Sequence, residues 1–294
     1  MSVTASSIEP AVAPRRSVSP ARRAWRSFWH RPATRIATLV LGVLVFASLL
    51  APWIAPYNPA AIDMFSMLSA PSGTHWLGTD ENGRDILSRL LYGGRVSLSV
   101  GLASVTAAVF IGATLGALAG FLGGWVDSLI SRIIDGMLSI PLFFFLLTTL
   151  ALFGSSLPIL ILAIAATTWM PVARIVRGEI LANRELLYVE AAAALGVPRM
   201  TILFRHVLPQ STPSIIVAAT LGIAEAVMVE SALSYLGFGV RPPTPSWGNM
   251  LAEARGYIFQ NPWLTVYPGA LIFLSVLAFN TIGDALRDAT DPRN

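Results

Sequence analysis

The chain is 294 residues long, 54% hydrophobic and only 12% charged. An ordinary soluble domain carries about 25% charged residues, so a soluble or disordered chain is excluded for most of the length. There are no cysteines, and all 20 basic residues are arginine; structural disulfides, cysteine-bound zinc, iron–sulfur clusters, a P-loop lysine and Schiff-base chemistry fall together. If ATP drives this protein, another chain binds it. A net charge of +4 spread over so apolar a chain is a weak case for nucleic acid.

Charge-free windows long enough to cross a membrane predict six helical spans. Residues 1–35 form a basic arm, with Arg15, Arg16, Arg22, Arg23, Arg26, Arg31 and Arg35 against Glu9 alone. Its distal part, Ala21–Arg31, suits either an amphipathic helix on an anionic membrane face or a solvated tail. Residues 36–56 hold the first span, Ile36–Ile54, which is longer than a signal-peptide core and is expected to stay uncleaved. A loop, 57–95, comes next. The five-helix core, 96–283, begins with Val96–Trp125, where Gly112, Gly116, Gly120 and Gly124 fall at four-residue spacing. On one helix they form a stripe that lets another backbone approach closely, and Gly123 and Gly124 are expected to end it.

From Gly136 to Ala173 no charge occurs. These 38 residues would reach ~57 Å as one helix, against a hydrocarbon core of ~30 Å. The break Gly154-Ser155-Ser156-Leu157-Pro158 predicts two spans, Ile133–Phe153 and Ile159–Val176, with Pro141 and Pro171 as kinks. A charged, helix-favouring loop, 177–207, leads to a fifth span, Leu208–Phe238, and a Pro-rich loop, Arg241–Pro262, to the sixth, Trp263–Ile282. A tail, 284–294, closes the chain.

Six spans place both termini on one side, and that side holds fifteen arginines against five on the other. The positive-inside rule makes it cytoplasmic. Were the long window a single span, this bias would vanish, so the arginines support the hairpin independently of hydropathy.

Catalytic chemistry is missing. His30, His75 and His206 all lie outside the spans, so no Ser–His pair can form at membrane depth and no metal site is expected. Glu225 and Glu230 are the only acids set well back from the ends of a span. An intramembrane acid is a functional candidate by default, here as a path or gating residue; a helix-packing contact satisfied by another chain, or placement near the outer interface, is the alternative. Five residues apart, they point ~140° apart and form no dyad. In the charged loop, Leu186–Leu195 is rich in helix formers, Gly196 fits a helix C-terminus and Pro198 prevents continuation. Its alanine face would settle into a partner's groove; a five-arginine loop that merely contacts lipid heads is the alternative.

The run Glu190-Ala191-Ala192-Ala193-Ala194-Leu195-Gly196, with His206-Val207-Leu208-Pro209 beyond it, resembles the coupling-loop signature of inner-membrane permease subunits of ABC importers. The chain more closely resembles the C-type permease of the dipeptide/oligopeptide/nickel group. Further matches are His75–Asp85 with Ser88-Arg89, Tyr92–Arg95, Leu233–Gly237, Pro245–Gly248 and Gly283–Asp288 with Asp291–Arg293. Residues 1–35 carry no signature.

The resemblance implies an all-α membrane fold of the type I importer permease kind, with a coupling helix between spans 4 and 5. It further implies no cofactor on this chain and ATP with Mg on partner ATPase subunits. A second homologous permease would complete the path, two ATP-binding subunits would dock below, and an extracytoplasmic binding protein would deliver solute to a bacterial inner membrane. Glu190, Ala191, Ala192, Leu195 and Gly196 would be the coupling residues. Asp80, Glu81, Arg84, Asp85 and Arg89 would rigidify the extracytoplasmic entrance or meet the binding protein, and Trp247 would cap the outer mouth. A proton-coupled carrier using Glu225 or Glu230, or a membrane anchor for a soluble complex, are the competing readings. Dipeptides, oligopeptides, glutathione-like peptides and nickel chelates all remain open as the solute.

Overall fold

The computed structural model describes Trp25 and residues 28–290. Most of the basic arm, and Asp291-Pro292-Arg293, lie outside the described residues. Among those described, every regular element is helical, and the one extended pairing is a lone bridge between Thr79 and Asp85.

Helix α1, Pro32–Leu49, opens with proline in its first turn, where a missing N–H costs nothing. Leu39, Val43 and Phe46 stand exposed along its outer face, as expected of a side turned to lipid. A short turn, Ala51–Ile54, leads into an irregular segment that ends at α2, Ile86–Leu122. Asp85 caps α2 by accepting from the Ser88 N–H at 2.8 Å. The helix therefore starts ten residues before the expected boundary at Val96. The charge-free criterion missed this stretch because it carries Arg89 and Arg95; Arg89 is neutralised by acids on both sides of it in the chain, one of them far away in sequence.

The third span departs most from expectation. In place of one helix Ile133–Phe153 kinked at Pro141 there are two helices, α3 (Gly124–Leu138) and α4 (Leu142–Phe153), bent by 85°. Pro141 has no N–H to continue α3 and restricts Ile140 before it; the Phe145 N–H then bonds back to the Pro141 carbonyl and α4 begins. At 12 residues, α4 is ~18 Å long and too short to cross alone.

The long window does break at Gly154, with φ +85°, and α5 runs Leu157–Asn183. It outlasts the expected end at Val176 because its charged last turns find partners on α3. Arg174 donates to Asp135 at 2.5 Å and Arg177 to Asp127 at 2.8 Å. After α6 (Leu187–Ala194), an irregular helical stretch over 199–211 runs without a break into α7, Thr212–Tyr235. Then come α8 (Trp247–Ala254) and α9 (Trp263–Thr290). Among the described residues, five helical runs are long and apolar enough to cross a membrane, and the bent α3–α4 pair brings the number to six if it crosses as one broken span.

Helix α2 is the axis of the bundle. Its most extensive packing is against α5, and it also meets α7 and α1. A Cβ on Gly112 would lie 2.5 Å from the Trp169 carbonyl oxygen, and one on Gly120 2.8 Å from that of Arg177; Gly116 abuts the Ala173 backbone. Glycine is what allows this approach, since lipid tails provide no hydrophobic drive and close contact must hold the helices. The fourth expected member, Gly124, is not in the stripe. The helix has stopped at Leu122, Gly123 and Gly124 both have positive φ, and nothing lies within 4 Å of a Cβ on Gly124.

Arg31 pairs with Asp288 at 2.6 Å, so the start of α1 and the end of α9 share one end of the bundle. The α2–α3 junction and α6 lie at this same end, because Arg184, just before α6, donates to the Gly120 carbonyl at 3.0 Å. The irregular segment 55–85 and α8 occupy the opposite end.

Candidate functional site

At the α6 end, the segment after α5 turns once and forms α6. Val189 is buried and Ala192 partly so, both against a cluster built on Val176, Ile180, Ile202, Leu203 and Val207. That i, i+3 pair is a single anchoring stripe. The rest of the helix faces outward: Leu187 is 83% exposed and Leu195 84%, and Glu190, Ala191 and Ala194 are exposed beside them. Its end is a Schellman motif. The Val197 N–H bonds to the Ala192 carbonyl at 3.1 Å and the Gly196 N–H to that of Ala193 at 3.0 Å. Gly196 has φ +77° and open space around it; backbone handedness, not room, requires glycine there. The sequence-derived set Glu190, Ala191, Ala192, Leu195 and Gly196 is thus one contiguous element, with Ala192 alone turned partly inward. Leu187 belongs to the same face, and the sequence does not single it out because it precedes the signature.

At the opposite end, the expected loop residues bond to one another. Arg84 donates to Asp80 at 2.6 Å, to Glu81 at 2.8 Å and to Glu253 at 3.0 Å. Arg89 donates to Glu253 at 2.6 Å and also pairs with Asp80. Asp80, Glu81 and Glu253 bring carboxylate oxygens within 4.8 Å of one another, with both guanidinium groups placed to balance them. Crowding and burial push the Glu81 carboxyl above its ordinary range, burial first and the Asp80 charge second. Asp85 caps α2 and meets His75 Nδ1 at 2.9 Å. Glu253, on α8, is a member that sequence does not reveal, since no local pattern pairs it with residues 164 and 169 positions earlier.

Trp247 is buried to 1% exposure, with its indole N–H donating to the Leu90 carbonyl at 3.0 Å. Gly93 and Gly94 give its ring the space. It is a wedge that holds α8 against α2. Ser246 and Asn249 close a reciprocal capping box that starts α8 at this wedge.

Of the two acids in α7, Glu230 is fully buried. Its carboxylate accepts from Ser97 on α2 at 2.7 Å and from Ser234 at 2.6 Å, and the Ser234 hydroxyl accepts in turn from the Val240 N–H at 3.0 Å. Glu230 therefore has its hydrogen bonds within the chain, as a buried carboxylate requires, and the Ser97 bond ties α7 to α2. Glu225 is exposed on the opposite side of the same helix.

Residues 112–294 match the family of binding-protein-dependent transport system inner membrane components. Residues 19–71 match the N-terminal transmembrane domain of oligopeptide transport permease C, so the family likeness reaches into the basic arm, a stretch expected to carry none. The chain is 40% identical over 277 residues to the dipeptide transport system permease protein DppC of Alkalihalophilus pseudofirmus, covering 94% of this chain and 91% of that one. It is 39% identical to the glutathione transport system permease protein GsiD of Pectobacterium atrosepticum, covering 92% of each. Among solved structures, the MetNI methionine ABC transporter in an inward-facing conformation has the same fold. The TM-score is 0.56 at 22% identity, covering 69% of this chain and 97% of that one.

Proposed function

This chain belongs to the binding-protein-dependent transport system inner membrane components, the permease subunits of ATP-driven importers, and from that premise we propose that it forms half of a passage for short peptides. The relatives that match along most of its length are named for dipeptide and glutathione transport, which supports peptides as the solute class. On this reading the other half of the passage is a second homologous permease. Two ATP-binding subunits dock at the α6 end, and a binding protein delivers solute at the opposite end. The α6 end is cytoplasmic, which puts both termini there and fits the arginine excess on that side. The membrane is the bacterial inner membrane.

One observation carries the docking assignment. The α6 end exposes Leu187 and Leu195 almost completely in a region that stands in water, around a helix anchored by a single stripe. Exposed apolar groups so placed mark an interaction surface. ATP-driven closure of the two ATPases would draw two such helices together, and the rigid α2–α5 pair would transmit this as a rocking transition between two packed states. The coupling works because the ATPases in their closed form bind one of those states better than the other.

The test is a gentle-detergent purification of the tagged chain from its native membranes, with mass spectrometry of the chains that co-purify. A second six-span permease and P-loop ATPases are expected. A chain recovered alone, stable and monodisperse, would overturn the docking assignment. The family gives no support to the proton-coupled alternative, and uptake that needs ATP but no proton gradient is the expected behaviour.

A further inference from the structure

Glu225 sits near the middle of α7, where an ionisable group without a partner is costly. Glu230, one and a half turns on, has its hydrogen bonds satisfied inside the chain; Glu225 has no hydrogen bond or ion pair among the described residues. Glu225 lines a cavity of about 150 Å³. Ile140 and Phe145 wall this cavity at the α3–α4 break, and Thr167, Thr168 and Pro171 of α5 wall it opposite.

Three features specify what this cavity takes. First, the surroundings are wet or protein-covered: α4 starts without a side-chain cap, so its first N–H groups need water or another partner, and a broken helix is tolerated at membrane depth only on those terms. Second, every side-chain polar group on the wall can accept. The Thr167 and Thr168 hydroxyls spend their protons on the Ile164 carbonyl at 2.8 and 2.9 Å, leaving oxygen lone pairs free, and the carboxylate has only acceptors. Third, no cationic side chain lines the cavity among the described residues. An ammonium group, with one positive charge and three N–H donors, matches a carboxylate and two hydroxyl oxygens in number and sign.

We infer that this cavity is a transit site for the free amino terminus of a peptide, with Glu225 as counter-charge and Thr167 and Thr168 as the accepting hydroxyls. The inference rests on the peptide reading above. An arginine of the partner permease is the competing occupant. The concave wall, built from three segments of this one chain, favours a small mobile guest over a flat subunit contact.

The experiment uses the complete transporter with its binding protein in proteoliposomes. Because the chain has no cysteine, Ile140→Cys supplies its single thiol at the cavity wall. A cationic methanethiosulfonate is expected to modify that thiol at least about tenfold faster than an anionic one, and Glu225→Gln should bring the two rates together. A library of free dipeptides, read by mass spectrometry, should enter wild-type vesicles on ATP addition. Glu225→Gln should lower that uptake at least about tenfold while binding-protein-stimulated ATP hydrolysis persists, and Glu225→Asp should restore at least half of it. Unchanged uptake in Glu225→Gln vesicles, or equal rates for the two reagents without that substitution, overturns this site alone. Loss of the partner permease on Glu225→Gln, with the thiol unreactive, also overturns it and assigns Glu225 to the subunit interface. Absence of dipeptide uptake by wild type, with normal assembly, overturns the peptide reading and this site with it.

Discussion

At one end of the bundle Arg84 and Arg89 are 5% and 2% exposed and share three carboxylates; at the other, Leu187 and Leu195 are 83% and 84% exposed. Charged groups are paired and hidden where a binding protein would land, although Phe65 and Trp76 also stand exposed there, and leucines are displayed on a short helix where ATPases would dock. A buried charge demands neutralisation within its own chain, so the Asp80–Glu253 cluster is a structural clamp that fixes α8 on the start of α2. Exposed leucines on a singly anchored helix have no such internal partner. The contrast separates residues that build the permease from residues that connect it to others, although both groups fall in equally distinctive stretches of sequence.

Breaking the clamp should have the largest effect on stability. Arg89→Met leaves Asp80 and Glu253 with one guanidinium between them, and removal of one member of a buried pair costs about 3–5 kcal/mol. The expected result is a marked fall in the detergent melting temperature, with Arg84→Met close behind. Gly116→Val should come next, because its side chain would press on the Ala173 backbone. Overpacking of that kind costs about 1–3 kcal/mol, and Gly124→Val, off the stripe, should show no comparable packing loss in the same melt.

At the α6 end the same class of substitution should leave the bundle intact and remove function. Gly196→Val forces a β-branched residue into positive φ, a local cost of about 1–2 kcal/mol. Membrane insertion should be normal while uptake falls at least about tenfold, equivalent to ~1.4 kcal/mol of lost docking. Leu187→Asp should do likewise through the exposed face. Wild-type uptake by both variants would erase the distinction between the two ends.

The smallest effect sharpens the clamp's electrostatics. Burial raises the Glu81 carboxyl, so the folded state binds that proton more readily than the unfolded one. Its contribution to stability is full below the ordinary glutamate range and is lost as pH rises through the raised folded value. Glu81→Gln should therefore match wild type below about pH 4 and melt slightly higher above that window. Asp63 runs the other way. The Ser66 hydroxyl, then the Phe65 N–H, hold its carboxyl below the usual range, so its small contribution is present near neutral pH and fades on acidification.

Much of this was legible in the sequence, for physical reasons that act locally. A membrane requires about 20 apolar residues per span, so hydropathy located the crossings. Glycine at every fourth position fixes one helix face whatever lies against it, and Gly196 before Pro198 ends a helix by backbone chemistry alone. Other features were decided only by the fold. Pro141 could have kinked a continuous span; its bend of 85° comes from how α3 is held across α5 by Asp127 and Asp135. Glu253 became the acid of the clamp supplied from afar because α8 folds back on α2. The two acids of α7 look equivalent in sequence, and the tertiary structure parted them. Glu230 met Ser97 and Ser234 in the interior, while Glu225 was left on the open side of the same helix. Local sequence dictates where a helix runs and which residues share a face; which face finds a partner depends on elements far away in the chain.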